Sequence, residues 1–134
     1  MYHKVLKIGR WVVDFLFAIE KYDVDGVIGC LYDADASHMI IERACDIMYE
    51  DRLNCGFTFA NPEIFRAVIV VGPTSSGSEF IDTLTHEVHH LAVAIAKELN
   101  FDLDGEVPAY ITGDSLRELA YIICKLGCID KPSL

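Results

Sequence analysis

Alternating apolar positions predict a β-hairpin at the start of the chain. The segments KVLKI and WVVDFLFAI are separated by Gly9 and Arg10, and glycine is typical of a tight turn between strands. Successive side chains of a strand point to opposite faces. One face of the second segment therefore carries only apolar residues, namely Trp11, Val13, Phe15, Phe17 and Ile19.

Two helices and a second pair of strands are predicted next. Apolar residues recur at helical spacing from Asp23 to Asp33 and from Ser37 to Glu50, which predicts one helix in each range. The second helix is expected to direct inward Ile40, Ala44, Ile47 and Met48. The segments CGFTFA and RAVIVVG, separated by Asn61-Pro62-Glu63, predict another antiparallel strand pair.

A long amphipathic helix is predicted to begin near Gly77. Ser76 followed by Glu79 has the pattern of a capping box, and Asn100 is the predicted stop. A last helix is expected from Asp104-Gly105 to about Gly127. Because strands come first and helices later, the fold class is α+β, with a small antiparallel, possibly mixed sheet ahead of these two helices.

Length and composition indicate one globular domain over residues 1–134. The chain is 52% hydrophobic and 24% charged, with a net charge of −10. A nucleic-acid partner is not expected, because binding to phosphates requires a basic surface. A membrane partner is not expected either, since no apolar run approaches the roughly 20 residues of a membrane-spanning helix.

The cysteines indicate a reducing compartment. They are Cys30, Cys45, Cys55, Cys124 and Cys128. Their odd number and lack of zinc-knuckle spacing predict reduced thiols and a cytoplasmic location. The last two lie one helical turn apart, so a shared metal or a bond between them is an alternative.

The segment THEVHHL in the long helix contains H-E-x-x-H from His86 to His90. On a helical wheel these two histidines lie opposite an apolar stripe of Phe80, Ile81, Leu84, Val88, Leu91, Ile95 and Leu99. Imidazoles at i and i+4 point the same way and can hold one Zn²⁺ at about 2.0–2.1 Å. Glu87 could then take a proton from a zinc-bound water that attacks an amide carbonyl. Two solvated surface histidines are the competing interpretation.

A catalytic zinc ion requires a third protein ligand, and the sequence offers three carboxylates. Glu106 can reach the pair, provided that NFDLDG runs back along the long helix, whose end lies roughly 13 Å beyond His90. If that segment turns tightly instead, Asp114 would face His90. Asp104 is the third candidate.

Two further residues of the last helix are of interest. The Tyr110 hydroxyl, one turn after Glu106, could stabilise the oxyanion of a tetrahedral intermediate, or Tyr110 could simply pack between helices. Gly113 costs about 1 kcal/mol against alanine inside a helix. A close approach to the histidine helix would account for a glycine at this position.

The segment HEVHH followed by EVPAYITGD resembles the zincin metallopeptidases, and within them the gluzincins. In length and order the chain is similar to the minimal, single-domain zincin-like proteins of bacteria, phages and mobile elements. The resemblance rests on residues 76–114. It implies that His86, His90 and Glu106 are zinc ligands and that Glu87 is the base. Larger gluzincins carry E-x-x-x-D on the glutamate helix, whereas position 110 is Tyr here.

The predicted function is that of a zinc-dependent peptidase or related hydrolase acting on a peptide or protein. An extended peptide would pair with the edge of CGFTFA or RAVIVVG. The alternative is a zincin-fold binding or regulatory module with little or no turnover. The small size of the chain favours this alternative, because it leaves little room for a deep specificity pocket.

Overall fold

The computed structural model describes residues 1–50 and 56–127, which form two compact units. The first unit is Met1–Pro73, and the second begins at Thr74. The first contains β1 (Tyr2–Ile8), β2 (Trp11–Phe17), α1 (Val24–Asp33), α2 (His38–Tyr49), β3 (Phe57–Asn61) and β4 (Arg66–Val71). The second contains α3 (Gly77–Glu98), α4 (Glu106–Glu118) and α5 (Ala120–Gly127). The α+β class is confirmed, and the assignment of one domain stays a prediction.

A four-stranded mixed sheet of order β1-β2-β4-β3 forms the first unit. Both predicted antiparallel pairs are present, β1 with β2 and β3 with β4. Gly9, at φ 60°, supplies the left-handed backbone of the first turn. Strands β2 and β4 are parallel. A parallel pair requires a long connection, which α1, α2 and β3 provide here.

The position of each strand in the sheet limits which one can pair with a peptide. Strand β4 has a neighbour on both sides, so its backbone hydrogen-bonding groups are already used. The prediction that RAVIVVG could pair with a peptide is therefore wrong. Strand β3, which contains most of CGFTFA, lies at an edge of the sheet that the described strands form, where another strand can be added.

The core of the first unit lies between one sheet face and the helices α1 and α2. Its buried members are Leu16, Ile19, Val27, Leu31, Ala34, Ile41, Ala44, Met48, Val68 and Val70. Full burial of one large apolar side chain stabilises the fold by about 1.5–3 kcal/mol. In α2 the buried set includes Ile41, whereas Ile40 and Ile47 are only partly buried. The predicted inward face is thus rotated slightly.

Helix α3 begins where the capping pattern predicts. The Ser76 hydroxyl accepts a hydrogen bond from the Glu79 backbone N–H at 3.1 Å. The Glu79 carboxylate, however, accepts from the backbone N–H of Ser75 at 3.2 Å and from the Ser75 hydroxyl. The Glu79 side chain, which a capping box would direct to the backbone of Ser76, therefore binds the preceding residue, Ser75.

Helix α3 ends in a Schellman motif at the predicted stop. Asn100 adopts φ 59°, a left-handed conformation that asparagine tolerates well. The N–H groups of Asn100 and Phe101 donate to the carbonyls of Lys97 and Ala96 at 3.2 and 2.9 Å. These are the two hydrogen bonds that define the motif.

The prediction of a single long helix from Asp104 to Gly127 is wrong, because the chain forms α4 and α5 instead. The break is at Leu119, which is buried and has φ −93° and ψ 5°. Just before it, the hydroxyls of Thr112 and Ser115 donate to the carbonyls of the residues four positions earlier at 2.9 and 2.7 Å. Such bonds bend helices. None of the helices in the described ranges meets the length and hydropathy needed to cross a membrane.

Replacing Ser76 with alanine should destabilise the protein. The change leaves the Glu79 N–H without its capping acceptor, which costs about 0.5–2 kcal/mol in free energy of unfolding. Urea denaturation followed by circular dichroism measures the loss. Ser78→Ala is the control, since that hydroxyl is exposed and bonds the Ser76 side chain without accepting from the Glu79 backbone N–H. Equal losses in both variants would contradict the capping role.

Candidate metal centre

The apolar face of α3 determines where its histidines point. The buried residues of the helix are Gly77, Phe80, Leu84, Glu87, Val88, Leu91, Ala92, Ile95 and Ala96. Ile81 and Leu99, which were predicted to be part of this face, are 49% and 44% exposed. His86 and His90 are exposed on the other side of the helix, as the wheel predicts. They are therefore available to a ligand.

The two imidazoles of the motif converge. The Nε2 atoms of His86 and His90 are 3.1 Å apart. Their ring centroids are separated by 4.7 Å with an interplanar angle of 88°. Two nitrogens that each lie about 2.0–2.1 Å from a tetrahedral zinc ion are about 3.3 Å apart. The separation of this pair therefore fits one zinc ion with only a small adjustment.

Glu87 lies on a different side of the helix from the two histidines. It is 4% exposed and belongs to the buried face of α3. A residue next to His86 is rotated by about 100° around the helix axis, which explains the separation. The role of Glu87 as a base stays a prediction.

The third zinc ligand is not assembled in the structure. Over residues 1–50 and 56–127, one group of three His, Cys, Asp or Glu donors lies within 4.8 Å of one another, and it does not include His86 or His90. No carboxylate from the described residues therefore joins the pair. The fit to zinc is complete for the two imidazoles and incomplete for the third position.

The path of the chain after α3 explains why Glu106 is not close to the histidines. The Asp104 and Gly105 N–H groups donate to the side chain and the carbonyl of Asp102, each at 3.1 Å. This is a tight turn, so the segment NFDLDG does not run back along α3. Glu106 is the first residue of α4 and is exposed. Its role as a zinc ligand stays a prediction.

The other predicted residues of α4 are also on the surface. Asp114 is exposed and forms an ion pair with Arg117 at 3.2 Å. Tyr110 is 65% exposed. A Cβ at Gly113 would meet nothing within 4 Å, so the prediction that this glycine allows a close helix approach is wrong.

A second cluster of polar residues, which the sequence did not reveal, lies in the first unit. His3 Nε2 donates to Asp14 Oδ1 at 2.7 Å, and Arg66 Nη2 donates to Asp14 Oδ2 at 3.1 Å. Cys30 Sγ lies within 4.8 Å of donor atoms of both His3 and Asp14. Asp14 is only 5% exposed. One acidic residue in the otherwise apolar strand WVVDFLF was the signal available in the sequence.

The thiols differ in their surroundings. Cys30, Cys45 and Cys124 are free, and Cys124 is exposed. The predicted alternative of a pair between Cys124 and Cys128 lies outside the described residues. Burial, helped by the nearby Asp14 and Asp33 carboxylates and opposed by Arg66, raises the pKa of the Cys30 thiol to about 11. Cys30 is therefore protonated at neutral pH.

Comparisons of the chain with models of known protein families, with curated proteins and with solved structures gave no match.

Cys30 should react slowly with iodoacetamide in metal-free protein. Only the thiolate is an effective nucleophile, so labelling at about pH 8 should be slower at Cys30 than at the exposed Cys124. The Cys30 rate should then rise steeply as the pH approaches its pKa. Mass spectrometry of the labelled peptides measures both rates in one sample. Faster labelling of Cys30 than of Cys124 at about pH 8 would contradict the raised pKa.

Proposed function

We propose that the chain is a zinc-dependent peptidase or closely related hydrolase that acts on a peptide or protein. The observation that carries the proposal is the 3.1 Å separation of the His86 and His90 Nε2 atoms on one exposed helix face. The H-E-x-x-H pattern supports it, because this spacing combines two metal ligands with a candidate base. The resemblance of residues 76–114 to zincins points to the same chemistry.

His86 and His90 would hold the metal through Nε2, which requires each ring to carry its proton on Nδ1. When bound, a zinc ion lowers the pKa of water toward neutrality and polarises a peptide carbonyl. Glu87 accepts the proton of the attacking water and returns it to the leaving amine. The Tyr110 hydroxyl donates a hydrogen bond to the oxygen that becomes negative during the attack.

A third ligand must come to the histidine pair for this chemistry. Glu106 remains the first candidate because the gluzincin resemblance assigns the ligand to this residue, although the turn at Asp102 means that Glu106 must move to reach the pair. Its carboxylate is exposed at the first turn of α4, so it pays no burial cost on moving. Asp114 would first have to leave Arg117, and Asp104 lies in the turn before the helix.

An extended peptide would bind to the first unit as an added strand on β3, which lies at the edge of the four-stranded sheet. We further propose a cytoplasmic location, because the free thiols of Cys30, Cys45 and Cys124 suit a reducing compartment.

A metal-binding regulatory module is the second candidate. Two observations favour it over an enzyme. The described residues supply no third donor to the histidine pair, and the candidate base Glu87 is 4% exposed. A module of this kind would bind zinc or a peptide without turnover.

Glu87→Gln separates the two candidates. In a peptidase it should keep bound zinc but lower kcat/KM by about 10²- to 10⁴-fold, because general-base catalysis is lost. Cleavage of a peptide library by the zinc-loaded protein, followed by mass spectrometry, supplies the substrate for the assay.

Glu98→Gln is the matched control, since it makes the same change on the same helix three turns from His86 and should leave kcat/KM unchanged. Unchanged cleavage by the Glu87 variant would refute its role as base. A zinc-loaded wild-type protein that cleaves no peptide would instead favour the regulatory module.

The third ligand can be identified by comparing zinc affinities of Glu106→Gln, Asp114→Asn and Asp104→Asn. Loss of outer partners alone costs about 10- to 100-fold in metal affinity, so loss of the true ligand should cost at least that much. We expect this weakening for Glu106→Gln only. Competition with a chromophoric chelator measures the affinity, and the other two variants serve as controls for charge. If all three variants bind zinc as tightly as the wild type, none of the three carboxylates is the third ligand.

A further inference from the structure

The register of the sheet brings three polar side chains onto one face in the first unit. His3 is paired with Leu16, and Arg66 is paired with Val12. Paired residues share a face, as do residues two positions apart on one strand. Asp14 lies between Val12 and Leu16 on β2, so all three polar residues point to the same side and meet diagonally. Their contacts follow from backbone pairing and not from chance rotamers.

Helix α1 supplies the fourth member of the cluster. Val27 and Leu31 are its buried residues, and they pack on the same sheet face as Leu16. Cys30 comes three residues after Val27 and one before Leu31, so it is on the sheet-facing side of the helix. Its sulfur therefore meets His3 and Asp14 within 4.8 Å. The donors come from β1, β2 and α1.

The donor set and its spacing suit a transition metal. An imidazole nitrogen, a carboxylate oxygen and a thiolate sulfur are the ligands that zinc takes in tetrahedral sites. The His3 nitrogen and the Asp14 oxygen are 2.7 Å apart, and a shared zinc ion would place them about 3.3 Å apart. The His3 side chain is 42% exposed, so it can rotate by this amount.

Arg66 holds the carboxylate in position for such a site. Its guanidinium binds Asp14 Oδ2 at 3.1 Å, which leaves Oδ1 directed toward His3. Partners of this kind commonly orient metal-binding carboxylates. Cys30 would lose its proton on binding a metal. The resulting thiolate and the Asp14 carboxylate would then carry two negative charges against the single positive charge of Arg66, which favours a divalent cation.

We propose that His3, Asp14 and Cys30 form a metal site for a divalent cation of borderline softness, such as Zn²⁺, separate from the H-E-x-x-H motif. The bound ion cross-links β1, β2 and α1. Because it binds the folded state, it stabilises the protein by an amount that grows with the logarithm of its concentration above Kd.

Cobalt(II) is the probe, used with full-length His86→Ala/His90→Ala protein so that the helix histidines cannot contribute. We expect one equivalent of cobalt to give a thiolate-to-cobalt charge-transfer absorption, which zinc then removes by displacement. Cys30→Ser should abolish this absorption and weaken cobalt binding by at least about 100-fold, more than loss of an outer partner. Cys45→Ser, which changes a half-buried thiol of α2, should leave the absorption unchanged.

His3→Ala provides a second test that does not depend on the thiol. Its side chain is partly exposed, so the protein should fold, and cobalt affinity should fall while circular dichroism stays the same. Zinc should raise the melting temperature of the His86→Ala/His90→Ala protein, but not that of the same protein with His3→Ala added. Absence of the charge-transfer absorption, or its survival in Cys30→Ser, would overturn the proposal and leave His3 and Arg66 as neutralising partners of Asp14.

Discussion

The spacing of His86 and His90 on one exposed face of α3 is the constraint on which the functional proposal depends. It is a local property, because any α-helix brings side chains at i and i+4 to the same side. Ser76 and Asn100 delimit that helix through caps at its two ends, and an apolar face opposite the histidines is buried. The convergence of the two nitrogens therefore needs nothing from the rest of the fold. Completion of the metal centre, in contrast, depends on the rest of the fold.

The elements that the sequence predicted correctly are those determined by short-range patterns. The hairpin at Gly9 follows from alternation and a turn residue, and the start of α3 follows from the Ser76 side chain. The errors concern properties that no familiar sequence pattern marks. The break at Leu119 has no glycine or proline to mark it, because it accompanies hydroxyl-to-carbonyl bonds at Thr112 and Ser115. Likewise, nothing in RAVIVVG reveals that it has neighbours on both sides.

The position of Glu106, the predicted third ligand, was the least predictable part of the candidate site. Its position depends on six residues, NFDLDG, whose reach permits either an extended return or a tight turn. Their composition favours the turn: Asn100 tolerates a left-handed backbone, and Asp102 binds the N–H two residues later. A prediction based on turn chemistry would have placed the start of α4 near the end of α3. A prediction based on chain length alone could not choose between the extended return and the tight turn.

The two candidate metal sites depend on opposite kinds of information. The histidine pair of α3 is recognisable in the sequence but lacks a third donor among the described residues. The cluster of His3, Asp14 and Cys30 is invisible as a motif, because its members are separated by 11 and 16 positions, yet strand register brings three donors together. Zinc also binds sites that contain a thiolate tightly. Zinc found in the purified protein would therefore not by itself identify a catalytic centre. Only the identity of its ligands, oxygen and nitrogen alone or including sulfur, can assign the ion to one unit or the other.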